Sequence, residues 1–192
     1  GIDALVHAVE AFVSAGSGPL TDTHALEAMR LIGGNLVQMI ATPQDIALRE
    51  KIMLGSMQAG LAFSNAILGA VHAMSHSLGG YLDLPHGMCN AALVEHVVAF
   101  NYHSAPERFR MVAEALGLDV RGLNHEQIRL RLIDHLIAFK QSVGFHDTLK
   151  LHGVRVADIP FLSRHAMEDP CILTNPRASS MRDVEVVYAE AL

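Results

Sequence analysis

The chain has 192 residues, of which 51% are hydrophobic, no tryptophan, and a formal net charge of −6. That length suffices to bury the core of one domain, and the acidic balance, with no basic stripe interleaved with aromatics, argues against nucleic acid as a partner. Every apolar run is broken by His, Gly, Gln or Asn before the roughly 18 residues that a membrane crossing needs, and no signal-peptide pattern is visible. The two cysteines, Cys89 and Cys171, lack CxxC spacing and read as reduced thiols of a cytoplasmic protein.

In chain order, Leu5, Val6, Val9, Phe12 and Val13 predict a helix over residues 2–15, closed by Gly16-Ser-Gly18-Pro19. Thr21, Asp22 or Thr23 can cap a second helix that is apolar around much of its surface and so is expected to be central. Gly33-Gly34 in its middle costs about 1 kcal/mol per glycine relative to alanine, a cost that close helix–helix approach would justify. Thr42-Pro43 reads as the N-cap and first residue of a third helix running to about Ser64. Its Met53 and Met57, like Met74 and Met88, read as core filling.

The next stretch holds three histidines, His72, His76 and His86, punctuated by Gly79-Gly80 and Pro85. The glycine pair is a predicted helix stop. Residues 88–100 predict another buried helix. Pro106 opens one that Gly117 ends, and Asn124 with Gln127 makes a capping box for an amphipathic helix to about Val143. After a turn-rich region come a helix over 160–168, a loop at Leu173-Thr-Asn-Pro176, and a last helix capped by Ser180 with Asp183, to Leu192. No period-2 run is long enough for a strand. The predicted class is all-α, with about seven to nine helices in one unit over residues 1–192.

Asp3 and His7 stand four apart, as do His72 and His76, so each pair shares a helix face. A bend between His72 and His86 would bring imidazoles from two elements to one point. Asp3, His7, His72 and His86 would then form a four-ligand set with His76 beside it. One carboxylate and three neutral imidazoles suit a borderline divalent ion, Fe(II), Zn(II), Mn(II) or Ni(II). The absence of a thiolate argues against a structural zinc site. Glu10 reads either as a partner of that set or as an ordinary helix charge. His24, His103, His125, His146, His152 and His165 read as solvated, and His96 and His135 as partly buried.

The segments Gly1-Ile-Asp3-Ala-Leu-Val-His7-Ala-Val-Glu10 and Gly69-Ala-Val-His72-Ala-Met-Ser-His76-Ser-Leu-Gly-Gly, with Pro85-His86-Gly87 and Asn90, resemble the two signatures of the iron-containing (group III) alcohol dehydrogenases. The tail Asp169-Pro-Cys171 and Thr174-Asn-Pro-Arg177 is similar to that family's C-terminus. Ser77 departs from the Pro or Ala frequent there. The resemblance covers the whole chain and implies an orthogonal helical bundle like the C-terminal domain of dehydroquinate synthase. It places Fe(2+), or Zn(2+), on Asp3, His7, His72 and His86. It puts His76, with His86, beside the nicotinamide of NAD or NADP, with His76 as proton relay in hydride transfer from an alcohol to NAD(P) or back from an aldehyde or ketone.

Phe63 and Asn65 would line the pocket of that small alcohol or aldehyde substrate. The nucleotide would be held mainly by an N-terminal domain outside this chain, which has no Gly-x-Gly-x-x-Gly loop; a functional Asp3 so near a terminus points the same way. The chain alone would then be inactive, and its uncovered apolar face would favour a homo-oligomer, a homodimer being the expected assembly. Two competing readings are a metal-dependent hydrolase using the same ligands, and a non-enzymatic helical interaction module whose histidines are structural.

Overall fold

A computed structural model describes residues 1–192. It contains nine α-helices, four short 3₁₀ turns and no strand. The helices are α1 (Ile2–Val13), α2 (Pro19–Ala41), α3 (Ile46–Ala66), α4 (Ala70–Leu82), α5 (His86–Asn101), α6 (Pro106–Ala115), α7 (His125–Ser142), α8 (Ile159–Glu168) and α9 (Met181–Glu190). No single helix is long and apolar enough to cross a membrane.

The central helix is α1, not α2. Nine of its residues, Ala4 to Val6 and Ala8 to Val13, are buried, and it packs against α2, α3, α5 and α6. Helix α2 buries only one stripe, chiefly Ala25, Ala28, Met29, Ile32 and Leu36. It pairs with α3 as an antiparallel hairpin whose outer side keeps Val37, Ile40, Met53, Met57 and Leu61 exposed. Apolar composition all round α2 therefore reflects an uncovered outer face as well as a core, and Met53 and Met57 are surface residues while Met74 is core.

Helix boundaries differ from the sequence expectation where Pro and Gly were read too locally. Helix α2 begins at Pro19, whose missing N–H suits the first turn, with Gly18 as N-cap. Thr42 closes α2, and Asp45 caps α3 by accepting the Leu48 N–H at 3.1 Å. The Gly79-Gly80 pair lies inside α4, which stops instead at Asp83 in the left-handed conformation (φ 54°). Leu173–Thr174 belong to a 3₁₀ turn, Pro170–Thr174.

The close approach predicted for Gly33-Gly34 occurs mainly elsewhere. A Cβ on Gly55 of α3 would lie 2.7 Å from Ile32 of α2, a Cβ on Gly33 would lie 3.0 Å from Leu116, and Gly34 faces open space. The two capping boxes are as read: Asn124 and Gln127 bond reciprocally at 2.9 Å, and Ser180 and Asp183 do the same.

The corner between α3 and α4, a bend of 101°, positions the candidate site. Ile67 turns it with φ 61° and ψ −169°, a region that costs a β-branched residue about 1–3 kcal/mol. The corner is held from the C-terminal tail: Thr174 Oγ1 donates to the Leu68 carbonyl at 2.7 Å, and Asn175 Oδ1 accepts the Ala70 N–H at 3.1 Å. Ile67→Gly is expected to stabilise the chain by up to about 1 kcal/mol, because relief of strain exceeds the added freedom of the unfolded glycine; chemical denaturation showing a loss of stability would contradict this.

Candidate metal centre

Three helix starts meet at one point. Helix α1 carries Asp3, His7 and Glu10 along one face, α4 carries His72 in its first turn, and α5 opens with His86 and carries Asn90 one turn later. One donor atom from each of Asp3, His7, His72 and His86 lies within 4.8 Å of all the others. An Asp3 oxygen is 3.5 Å from His86 Nε2 and 4.0 Å from His72 Nε2, and the other is 3.8 Å from His7 Nδ1. The His7 and His72 rings stack at 4.5 Å. His72 is buried and His7 largely so, whereas Asp3 and His86 are partly open to solvent, so the cluster has a closed back and an accessible front.

Glu10 fixes the buried side. Its carboxylate accepts the backbone N–H groups of Gly69, Val71 and His72 at 3.1, 2.7 and 3.2 Å, and His72 Nδ1–H at 2.7 Å. An anion at the start of α4 meets the free N–H groups and the positive end of the helix dipole. With its proton on Nδ1, His72 turns a bare Nε2 toward Asp3. A Cβ on Gly69 would lie 2.9 Å from both Glu10 and Asn175, so only glycine lets the carboxylate this close.

Asn90 provides the test of what the cluster fits. Its Nδ2 is 2.6 Å from Asp3 Oδ1, 3.2 Å from His72 Nε2 and 3.3 Å from His86 Nε2. Asp3 Oδ1 and the bare His72 Nε2 both turn lone pairs on this amide, as does His86 Nε2 when its proton sits on Nδ1, and the Asn90 Oδ1 is buried without a partner. A point where lone pairs outnumber protons fits a cation. Burial, aided by the neighbouring His72, lowers His7 to about 4 against the opposing pull of Asp3. Burial likewise lowers His86, with His72 and His76 acting in the same sense against Asp3. Both imidazoles are therefore neutral at pH 7, as ligands must be.

Their titration has a sign that can be checked. The folded pKa values of His7 and His86 lie below the ordinary 6.5, as burial also causes for His96 and His135. As pH falls through 6.5 the unfolded chain takes up protons that the folded chain refuses. Chelator-treated protein is expected to lose stability from about pH 6.5 down to about 4, the value to which His7 is lowered. Urea midpoints that stay level between pH 7 and pH 5 would contradict it.

His76 stands beside the cluster, its ring stacked 5.2 Å from that of His86. It is 45% exposed at the edge of an open cavity of about 540 Å³ lined by Tyr81, Phe161, His165, Glu168 and Asp169 among others. His76 Nδ1–H donates to Asp169 Oδ2 at 2.8 Å, which leaves Nε2 as the basic nitrogen. Phe63 stacks on His7 at 4.4 Å. Asn65 is exposed, donates to the Leu61 carbonyl and lines a separate cavity with Gly16, Gly18 and His24. His152, read as solvated, is largely buried and sits 3.1 Å from Asp147. Asn90, Asp169 and Asn175 stand in the segments that resemble the family, but the sequence assigns none of them a role. Asn90 alone is placed by helical spacing, one turn after His86.

The Fe-containing alcohol dehydrogenase family, C-terminal, matches by its family model over residues 1–192. The chain belongs to that family. It is 38% identical over 191 residues to 1,3-propanediol dehydrogenase of Klebsiella pneumoniae and 40% identical over 192 residues to NAD-dependent methanol dehydrogenase of Bacillus methanolicus. Each alignment covers 100% of this chain, but 49% and 50% of those relatives, so the chain spans about half the length of the curated relatives it matches. The crystal structure of a 1,3-propanediol oxidoreductase superposes with a TM-score of 0.97 at 38% identity, over 100% of this chain and 50% of that one. The helical bundle described above is thus the fold of a C-terminal half in this family of iron-containing alcohol dehydrogenases.

Proposed function

We propose that the chain supplies the metal site, and part of the substrate pocket, of an NAD(P)-dependent alcohol dehydrogenase acting on a small alcohol, aldehyde or ketone. The observation that carries this is the convergence of one donor atom from each of Asp3, His7, His72 and His86 within 4.8 Å of one another, with Asp3, His72 and His86 all crowding the single amide nitrogen of Asn90. Those four residues would hold Fe(2+), or Zn(2+), and when bound the ion supplies Lewis acidity toward an alcohol or carbonyl oxygen, with NAD(P) supplying the redox couple.

The chain's own residues do the rest. Glu10 holds His72 in one tautomer. The buried back formed by His72 and Glu10 keeps water from that side of the site. Phe63 offers an apolar wall against His7. His76, its Nδ1–H committed to Asp169, accepts the hydroxyl proton at Nε2 during alcohol oxidation and passes it to water at the cavity mouth. The nucleotide is held mainly by a further domain, a reading supported by the doubled length of the relatives, and the chain alone is expected to be inactive.

Anaerobic titration of the full-length protein with Fe(II) should show one tight equivalent per chain and alcohol oxidation dependent on NAD or NADP. Phosphatase or esterase turnover with no nucleotide requirement would instead favour a hydrolase. His76→Ala should lower turnover by about 10²-fold or more while leaving metal content intact. Loss of the metal in that variant would make His76 a ligand rather than a proton carrier.

A further inference from the structure

A second donor cluster lies outside the four-ligand set. One donor atom from each of His76, Asp169 and Cys171 lies within 4.8 Å of the other two. The three come from two parts of the chain: His76 from α4, and Asp169 and Cys171 from the junction of α8 with the 3₁₀ turn that follows it. Asp169 is the hub. One of its oxygens accepts His76 Nδ1–H at 2.8 Å, and the other accepts the Cys171 backbone N–H at 2.8 Å. Cys171 is buried behind it, and the cavity of about 540 Å³ opens in front, with Asp169 and His76 in its wall.

We propose that His76, Asp169 and Cys171 form a second cation site, selective for a thiophilic divalent ion such as Zn²⁺ or Cd²⁺, whose filling withdraws His76 from proton transfer. An imidazole nitrogen, one carboxylate oxygen and one thiolate make a mixed N, O, S set of the kind that zinc takes up in four-coordinate sites. Water from the open cavity completes the fourth position. Hard ions such as Mg²⁺ and Ca²⁺, which need several oxygens, are excluded by the same set. Binding forms bonds from the ion to sulfur, nitrogen and oxygen and breaks one S–H bond. The thiol proton goes to solvent, and the imidazole proton moves to whichever ring nitrogen does not bind the ion. No electron is transferred.

Burial, with Asp169 alongside, pushes the Cys171 thiol up to about 12. Occupancy therefore competes with protons and tightens as pH rises. The four-ligand set contains no sulfur, so its occupancy cannot produce a thiolate–metal signal.

Iron-loaded full-length protein, reduced and anaerobic, is titrated with Cd²⁺ while bound cadmium and the ultraviolet thiolate-to-cadmium charge-transfer band are followed. The expected result is one added equivalent with the band, lost in Cys171→Ser, retained in Cys89→Ser, and at least tenfold weaker in Asp169→Asn should the serine variant fail to fold. His86→Ala should lose the iron and keep the band, which separates failure of this site from failure of the four-ligand reading. No band in the wild-type protein, or a band unchanged in Cys171→Ser and Asp169→Asn, would overturn the site. The inhibitory clause rests on the proton-relay reading of His76: micromolar excess Zn²⁺ should suppress turnover in the wild-type protein and at least tenfold less in Cys171→Ser, and full activity with the band present would overturn that clause.

Discussion

His86→Ala is expected to abolish metal retention and, with it, turnover by about 10³-fold or more, while the fold survives. His86 is the first residue of α5 and 39% exposed, so truncating it opens no buried cavity. It also leaves the core around Phe12, Met29 and Leu93 untouched. What it removes is one of four donors within 4.8 Å of each other. Outer partners of metal ligands already cost about 10–100-fold when lost, and a direct ligand costs more. Metal analysis after dialysis and a thermal melt separate the two effects: iron gone with the melting temperature of the chelated protein unchanged is the predicted pair. Retention of a full equivalent of iron would remove His86 from the ligand set.

Glu10→Ala should be the most destabilising single change in the site. Glu10 is 4% exposed and takes four hydrogen bonds, three of them from backbone N–H groups of the N-cap and first turn of α4. Alanine would leave three buried N–H groups without acceptors, at about 1–3 kcal/mol each before relaxation, so a net loss of about 4 kcal/mol is expected after water or Asn175 takes up part of the load. For a chain of this size that lowers the melting temperature by roughly 10 °C. His72 would also be free to take the other tautomer, so metal affinity should fall by about 10–100-fold even in protein that still folds. Glu10→Gln keeps the volume and one acceptor and should recover part of the stability but little of the affinity, because its amide N–H₂ faces donors. A melting temperature within 2 °C of wild type for Glu10→Ala, roughly 0.5–1 kcal/mol, would show that the α4 start is capped by something else.

The candidate ligands were legible because their pattern is local. Asp3 and His7 share a face at four-residue spacing, and His72 and His86 flank a bend marked by Pro85. Capping boxes at Asn124 and Ser180 were equally plain, since each is settled by hydrogen bonds within three residues. Glu10 was visible as a charge in the right helix but open as to role, because its partners are some sixty residues away on α4. Asp169 and Asn175 stood in the family-like tail, but nothing in the sequence indicated what either touches. Each acts through contacts with α4 separated by 93 and 105 residues, and no periodicity reaches that far.

The same division explains the fold. Helical periodicity, caps and the lack of any alternating run determined an all-α chain and nearly every element, because those depend on neighbours within one or two turns. Which helix is central, which apolar face stays open on the α2–α3 hairpin, and where glycine admits a close approach were decided by tertiary packing. An exposed methionine on α3 and a buried one on α4 look alike in sequence and differ only in what lies against them. The residue types at the candidate metal centre were written in the sequence. The tertiary structure decided the tautomer of His72 and the pairing of His76 with Asp169, since both depend on carboxylates that only the folded chain brings within hydrogen-bonding reach.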